Sequence, residues 1–106
     1  MHNYVIQYCQ TISLKLRGVI LFSDITVHPR VNIKRPEISD EDVIHAWRNA
    51  IVIVNREYNP PDYYAAAGID SKGRILELVG VELEDNTLMI FHAMKLTRKM
   101  KEELGL

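Results

Sequence analysis

The chain has 106 residues, of which 47% are hydrophobic and 25% are charged, and its formal net charge is −1. This length suits one domain with a single core, and this composition is typical of a soluble globular protein. The near-neutral charge excludes a protein that attracts nucleic acid through its overall charge. The longest apolar runs are too short to span a bilayer, so we expect no membrane partner.

The first residues lack a basic region followed by an apolar segment, so we expect no export signal. The one cysteine, Cys9, excludes an internal disulfide and fits a reducing compartment. Both features predict a cytoplasmic protein. The four histidines have no metal-ligand spacing, and the chain has no glycine-rich phosphate loop or dinucleotide fingerprint. We therefore expect neither a metal nor a cofactor.

Residues 1–24 are predicted to form an N-terminal extension or an edge hairpin, with strand-like stretches at 5–8 and 18–22. The single folded domain is expected to span residues 25–106. Within that domain the first strong pattern is a helix after residue 38.

That helix is indicated by Ser39 and Asp42, which are three residues apart as in a capping box, with Asp in place of the usual Glu or Gln. Apolar residues then recur at helical spacing, which predicts one face that packs on a sheet. These residues are Val43, Ala46, Trp47 and Ala50.

A series of strands and a final helix follow. Strands are predicted at 51–54, 62–69, 74–84 and 87–94, with a break at Pro60-Pro61 and turns at 70–73 and 85–86. The tight loops favour an antiparallel meander. A last helix is predicted at 95–104, ended by Gly105. The fold class is therefore α+β: a small antiparallel sheet of three to five strands, one helix packed before the meander, and a short C-terminal helix.

Glu77 and His92 interrupt the apolar pattern of two neighbouring strands. If the turn pairs Glu84 with Thr87, His92 lies opposite Val79, and Glu77 is its diagonal neighbour on the same face. A carboxylate on a buried strand is costly unless it is paired. This register predicts that Glu77 and His92 interact.

The neighbouring strand would place Ala65 and Ala67 beside this pair, with Tyr63 further along the same face. Such small side chains predict an open floor around Glu77. A tyrosine, a carboxylate and an imidazole around this floor would suit acid–base chemistry. The alternative is that Glu77 and His92 are a structural pair or two solvent-facing residues.

Basic residues are segregated from acidic ones along the chain, which permits a local anion-binding face on a near-neutral protein. The two basic clusters are His28, Arg30, Lys34 and Arg35, and Lys95, Arg98, Lys99 and Lys101. The alternative is that both clusters are solvated surface. A catalytic interpretation requires that these clusters converge on Glu77 and His92.

Three segments resemble the BrnT-like toxins of bacterial type II toxin–antitoxin pairs: residues 38–46 (ISDEDVIHA), 73–78 (GRILEL) and 90–99 (IFHAMKLTRK). Those toxins are similar to the RelE and barnase-like ribonucleases, in which helices pack on a small antiparallel sheet. This chain departs from their usual pattern at residues 35–37, where Lys-His-Gly is typical, and at Met94, where a basic residue is typical.

The resemblance implies metal-independent RNA cleavage by attack of the ribose 2′-hydroxyl on the adjacent phosphate. It also implies a cognate antitoxin with an acidic or amphipathic segment that covers the site. By motif, the catalytic residues would be Glu77 as general base, His92 as general acid, and Arg98. The residues that would bind RNA or its phosphates are Arg35, Arg74, Lys95 and Tyr63.

Two other functions fit the sequence. One is a non-catalytic protein- or RNA-binding module of the same fold, and the other is a small-molecule-binding homodimer. The sequence leaves open whether the chain is an active enzyme, which RNA it would cut and whether it forms a homo-oligomer.

Overall fold

The computed structural model describes Tyr4–Val5 as backbone, together with residues 22–56 and 63–106. Its elements in chain order are β1 (Tyr4–Val5), β2 (Asp24–Val27), α1 (Arg30–Lys34), α2 (Asp40–Arg48), β3 (Ala50–Arg56), β4 (Tyr63–Ile69), β5 (Ile75–Glu82), β6 (Thr87–Lys95) and α3 (Arg98–Leu104).

The described strands form one sheet in the order β1-β3-β4-β5-β6-β2. Strands β3 to β6 are neighbours in sequence and in space, and each pairs with the next in antiparallel fashion, which confirms the predicted meander. Strand β2 pairs with β6 in parallel, so the sheet is mixed rather than wholly antiparallel. This parallel pair arises because the chain crosses from β2 at one end of the sheet to β3 near the other through α1 and α2. The predicted α+β class is confirmed.

Helix α2 begins with the predicted capping box. The Ser39 side chain accepts a hydrogen bond from the Asp42 N–H at 3.1 Å, and the Asp42 carboxylate accepts one from the Ser39 N–H at 3.0 Å. Val43, Ala46 and Trp47 are buried against the sheet, as their spacing predicted. Ala50, which was assigned to the same stripe, instead begins β3, because the helix ends at Arg48.

Both faces of the sheet are covered, and each carries its own apolar cluster. On the face toward α2, here called the α2 face, Leu76 and Leu78 of β5 are fully buried. On the opposite face, here called the α3 face, Val79 packs with Met100 and Leu104 of α3. Alternate residues of β5 therefore enter different clusters, which explains why this strand is apolar on both sides.

Two helices differ from the sequence prediction. The short helix α1 was not predicted, since five residues cannot display a helical period, and only Val31 of it is buried. The last helix begins at Arg98 rather than at residue 95, because β6 extends to Lys95 and Thr97 caps the helix. Its predicted stop is confirmed, since Gly105 adopts a left-handed φ of 76°.

Some predictions fall on residues that the structure does not describe. The proposed strands at 5–8 and 18–22 lie outside the described residues apart from Val5 and Phe22, and so does the break at Pro60-Pro61. Backbone pairing with β3 places Tyr4–Val5 at one edge of the sheet. No helix in the described part is long and apolar enough to cross a membrane.

Candidate active site

A β-bulge in β6 brings Glu77 and His92 together. The β5–β6 turn closes with Leu83 paired to Thr87, one residue away from the predicted pairing of Glu84 with Thr87. The register then shifts at Phe91. Ile90 pairs with Gly80 and His92 pairs with Val79, so Phe91 between them is an extra residue with no partner in β5. Because this shift compensates for the first difference, His92 still lies opposite Val79, as predicted.

The two side chains form a close hydrogen bond on the α3 face. The Nε2 atom of His92 lies 2.8 Å from Oε2 of Glu77. The glutamate is buried, whereas 36% of the histidine side-chain surface is exposed. One partner is therefore fixed inside the protein while the other reaches the surface, an arrangement that can present an oriented imidazole to a ligand.

Thr97 completes the hydrogen bonding of Glu77. Its backbone N–H and its hydroxyl both donate to Oε1 of Glu77, at 2.8 and 2.7 Å. The same hydroxyl oxygen accepts the N–H of Met100 and so caps α3. Sequence reasoning missed Thr97, although a threonine ahead of a basic helix is a recognisable N-cap signal. Glu77 therefore holds both the imidazole and the start of the last helix.

These contacts keep Glu77 ionised. Burial by itself raises the pKa of the Glu77 carboxyl, but the hydrogen bonds from Thr97 and His92 outweigh it and hold the pKa below its ordinary value. With an ionised carboxylate on one side, a neutral His92 ring carries its proton on Nε2, which leaves the lone pair on Nδ1. Within the described residues Nδ1 has no protein partner. This geometry favours a positioning role for Glu77 over the predicted role of general base.

The floor predicted beside Glu77 is not open. Ala65 and Ala67 have no exposed surface, since Met100 and Leu104 pack over this part of the sheet. Their small side chains instead make room for α3. The prediction of an empty floor was wrong because the sequence does not show where the last helix docks.

Tyr63 lies on the same face, as predicted, and its ring meets that of Phe91 edge-on with centroids 5.7 Å apart. Both rings are partly buried. Phe91 immediately precedes His92 at the bulge, so a pair of aromatic rings adjoins the imidazole.

Arg74 lies away from Glu77 and His92. Its guanidinium donates to Asp70 at 2.7 Å and to Asp42 at 3.0 Å, and it also reaches the carbonyl of Glu37. This network joins the β4–β5 turn to the start of α2 on the α2 face. The structure therefore places Arg74 among structural ion pairs rather than beside the predicted catalytic pair.

The two aspartates of this network are strongly held in their ionised form. Hydrogen bonding from the Ser39 backbone, opposed by burial and aided by Lys72, lowers the pKa of Asp42 to about 2. Burial raises the pKa of Asp70, but the backbone and guanidinium of Arg74 outweigh that effect and lower it overall. These groups link α2 to the sheet and leave Arg74 with two carboxylate partners.

The three remaining cations that the sequence predicted for the site lie in different places relative to His92. Lys95 pairs with Leu76, which belongs to the α2 cluster, so alternation puts Lys95 on the face opposite His92. Arg98 is exposed at the first residue of α3, directly after Thr97. Arg35 contacts the sulfur of Met94 at 3.6 Å, so it lies near the α3 face. The basic clusters therefore converge only in part.

No protein-family model, curated protein or solved structure matches this chain. The resemblance to BrnT-like toxins thus rests on its three sequence motifs. Among the described residues no group of three or more His, Cys, Asp or Glu side chains could hold a metal ion.

Proposed function

We propose that this protein is a toxin-type endoribonuclease that uses His92 as its acid–base group without a metal. The observation that carries this proposal is the pairing of a buried, ionised Glu77 with a partly exposed His92 at 2.8 Å. A carboxylate that orients an imidazole and stabilises its protonated form is a recurring device for general acid–base catalysis. RNA as the substrate comes from the sequence resemblance.

In this mechanism Nδ1 of His92 takes the proton from a ribose 2′-hydroxyl while that oxygen attacks the adjacent phosphorus. The bond from phosphorus to the 5′-oxygen breaks, which leaves a 2′,3′-cyclic phosphate. The departing 5′-oxygen takes a proton from solvent or from the imidazolium. Glu77 does not touch the substrate: it stabilises the positive charge that His92 acquires. Arg35 and Arg98 are the cations proposed to meet the phosphate.

The protein is proposed to act in the cytoplasm, where RNA is its substrate, and to be neutralised by a cognate antitoxin that covers His92. Its sequence resemblance to the toxins of type II toxin–antitoxin pairs predicts growth arrest on induced expression and relief by the product of an adjacent reading frame. Growth assays on the parent and on a His92→Ala variant test this part of the proposal.

The decisive experiment is cleavage of a single-stranded RNA by purified protein in the presence of EDTA. His92→Ala is expected to lower the rate at least about a hundredfold, since general acid–base groups contribute about 10² to 10⁴. His45→Ala is the matched control, because His45 is an exposed histidine on α2. Cleavage by the His92→Ala variant at the parental rate would contradict the proposed mechanism.

A second candidate function is a non-catalytic binding module, and Thr97 favours it. The two hydrogen bonds from Thr97 to Glu77 explain the buried carboxylate as an anchor for α3, with no need for catalysis. Under this alternative the parent protein binds its partner but cuts no RNA. Analysis of the products for 2′,3′-cyclic phosphate ends separates the two functions.

A further inference from the structure

A basic stretch of the chain runs alongside the part of β6 that carries His92. This stretch, residues 28–35, is here called the basic segment. At its start the His28 N–H donates to the carbonyl of Ile90 at 2.8 Å, and at its end Arg35 contacts the sulfur of Met94 at 3.6 Å. The two ends of the basic segment therefore contact β6 on either side of His92, while Val31 between them packs in the apolar cluster of the α2 face.

Arg35 reaches the face on which His92 acts. Met94 is the direct cross-strand partner of Glu77, and opposite side chains in a sheet share a face. Along a strand Met94 is about 7 Å from His92, at roughly 3.4 Å a residue. Arg35 therefore contacts a residue on the same face as His92, two residues along β6 from it.

The cations of the basic segment are not neutralised by carboxylates, a property that they share, among the described residues, with Arg48 and the cations of α3. Arg56, Lys72 and Arg74 are each paired with a carboxylate. In the part of the chain that the structure describes, Arg30, Lys34 and Arg35 have no acidic partner. Arg30 and Lys34 are exposed, whereas Arg35 is half-buried, and among the described residues the Met94 thioether is the one hydrogen-bond partner of its side chain.

A half-buried guanidinium beside a thioether has most of its hydrogen-bond donors unused. A phosphate oxygen would satisfy them with charge-assisted bonds, and Arg is well suited to that geometry. The exposed Arg30 and Lys34 would then contact neighbouring phosphates along a strand. The unpaired cations and the contact of Arg35 on the face of His92 thus point to the same polyanionic ligand.

We propose that the basic segment is the docking surface for the phosphate backbone of single-stranded RNA, with Arg35 at the phosphate nearest His92. This inference rests on the proposed function for the identity of the ligand. The Tyr63–Phe91 ring pair next to His92 favours RNA over an acidic protein, because unpaired bases stack on aromatic rings. The basic segment thereby takes the role that the sequence motifs assigned to Arg74 and Lys95.

The test measures binding of a fluorescent RNA oligonucleotide with 2′-O-methyl groups, which lacks the attacking hydroxyl and stays intact. Fluorescence anisotropy is recorded at several salt concentrations. The Arg30→Glu/Lys34→Glu variant is compared with Arg48→Glu/Lys101→Glu, which makes the same charge change at exposed residues of α2 and α3.

Loss of two phosphate contacts should weaken binding at least about tenfold in moderate salt. A plot of the logarithm of the association constant against the logarithm of the salt concentration should also become shallower by about 1.4, since each phosphate contact on a single strand contributes about 0.7 to the slope. The control variant is expected to bind within about threefold of the parent. Arg35→Lys, which keeps the charge but loses the planar fork, is expected to bind less tightly than the parent.

Three results would overturn the inference: no binding of RNA by the parent, equal weakening in the two double variants, or equal competition by polyglutamate of the same length. The endoribonuclease proposal fails separately, if the parent binds through the basic segment but does not cleave unmodified RNA.

Discussion

The carboxylate of Glu77 joins three parts of the chain that are distant in sequence. It lies in β5, bonds to His92 in β6 and accepts two hydrogen bonds from Thr97 at the start of α3. A buried carboxylate is tolerated only when its oxygens are satisfied, and here both oxygens have partners. The same residue therefore stabilises the fold and orients the imidazole on which the proposed reaction depends.

At the residue scale we predict that Glu77→Gln destabilises the protein more than His92→Ala. The amide oxygen can still accept both Thr97 bonds, but the amide NH2 meets the Nε2–H of His92 as a second donor and the charge of the carboxylate is gone, so a fall of about 2 kcal/mol in the free energy of unfolding is expected. His92 is partly exposed, and its removal leaves both hydrogen bonds from Thr97 to Glu77 in place. The free energy of unfolding is therefore expected to fall by only about 0.5–1 kcal/mol.

Urea unfolding at pH 7 measures both free energies. The reverse order would contradict this account, because it would mean that the imidazole rather than Thr97 is the main partner of Glu77. A normal far-UV spectrum for each variant is the control for correct folding.

At the scale of the elements, the position of α2 depends on a close approach to β4. A Cβ atom on Gly68 would lie 1.8 Å from the carbonyl oxygen of Ala46 and 2.7 Å from its carbon. Both atoms belong to the helix backbone and cannot move aside as a flexible side chain would. Glycine at residue 68 thus sets the distance at which α2 covers the sheet.

Gly68→Ala is therefore expected to destabilise the protein by at least about 3 kcal/mol, because the whole helix must shift and its packing is lost. Gly73→Ala is the matched control: Gly73 has a φ of 81°, but no atom lies within 4 Å of an added Cβ. The left-handed backbone alone should cost about 1 kcal/mol there. Thermal unfolding of the two variants gives the comparison, and equal losses would show that the contact with Ala46 can relax.

Across the whole molecule, buried carboxylates connect the two helical layers to the sheet. Asp42 and Asp70 hold α2 to the β4–β5 turn through Arg74, and Glu77 holds α3 on the other face. The pKa of each of these three groups is lower in the folded protein than its ordinary value. A lowered pKa means that the unfolded chain binds protons more readily, so stability falls with falling pH.

We therefore predict a loss of stability that begins below about pH 4.5 and continues toward pH 2, where Asp42 titrates in the folded state. The contribution of these groups is fully present above the unfolded pKa values and is lost as the folded groups take up protons. Chemical unfolding at a series of pH values measures this loss. The slope of the free energy of unfolding against pH gives the number of protons bound on unfolding.

Asp42→Asn should reduce the slope of the free energy of unfolding against pH by about 0.8 proton near pH 3. It should also cost about 2 kcal/mol at pH 7, because the shift in the pKa of Asp42 is then absent. Asp40→Asn removes an exposed carboxylate from the same helical turn and is the charge-matched control. An unchanged slope in Asp42→Asn would contradict the assignment of acid sensitivity to this residue.

The sequence by itself determined the features that depend on neighbouring residues. The capping box of Ser39 and Asp42, the turn with Gly73, and the helix stop at Gly105 follow from local hydrogen bonding and from backbone angles that glycine adopts easily. Apolar and β-branched runs joined by short loops were enough to predict the meander. The pairing of Glu77 with His92 was also predicted, although through a turn register that was one residue off.

Only the tertiary structure decided what depends on contacts between distant segments. The bulge at Phe91 reflects how two strands fit together, and no local pattern marks it. Twenty residues separate Thr97 from Glu77, and docking of α3 brings them into contact while filling the expected open floor. Arg74 became a structural residue because packing of α2 on the sheet brings Asp42 to it, beside Asp70 of its own turn. Composition shows which charges a chain carries, whereas packing decides which of them are already neutralised and which remain available to a ligand.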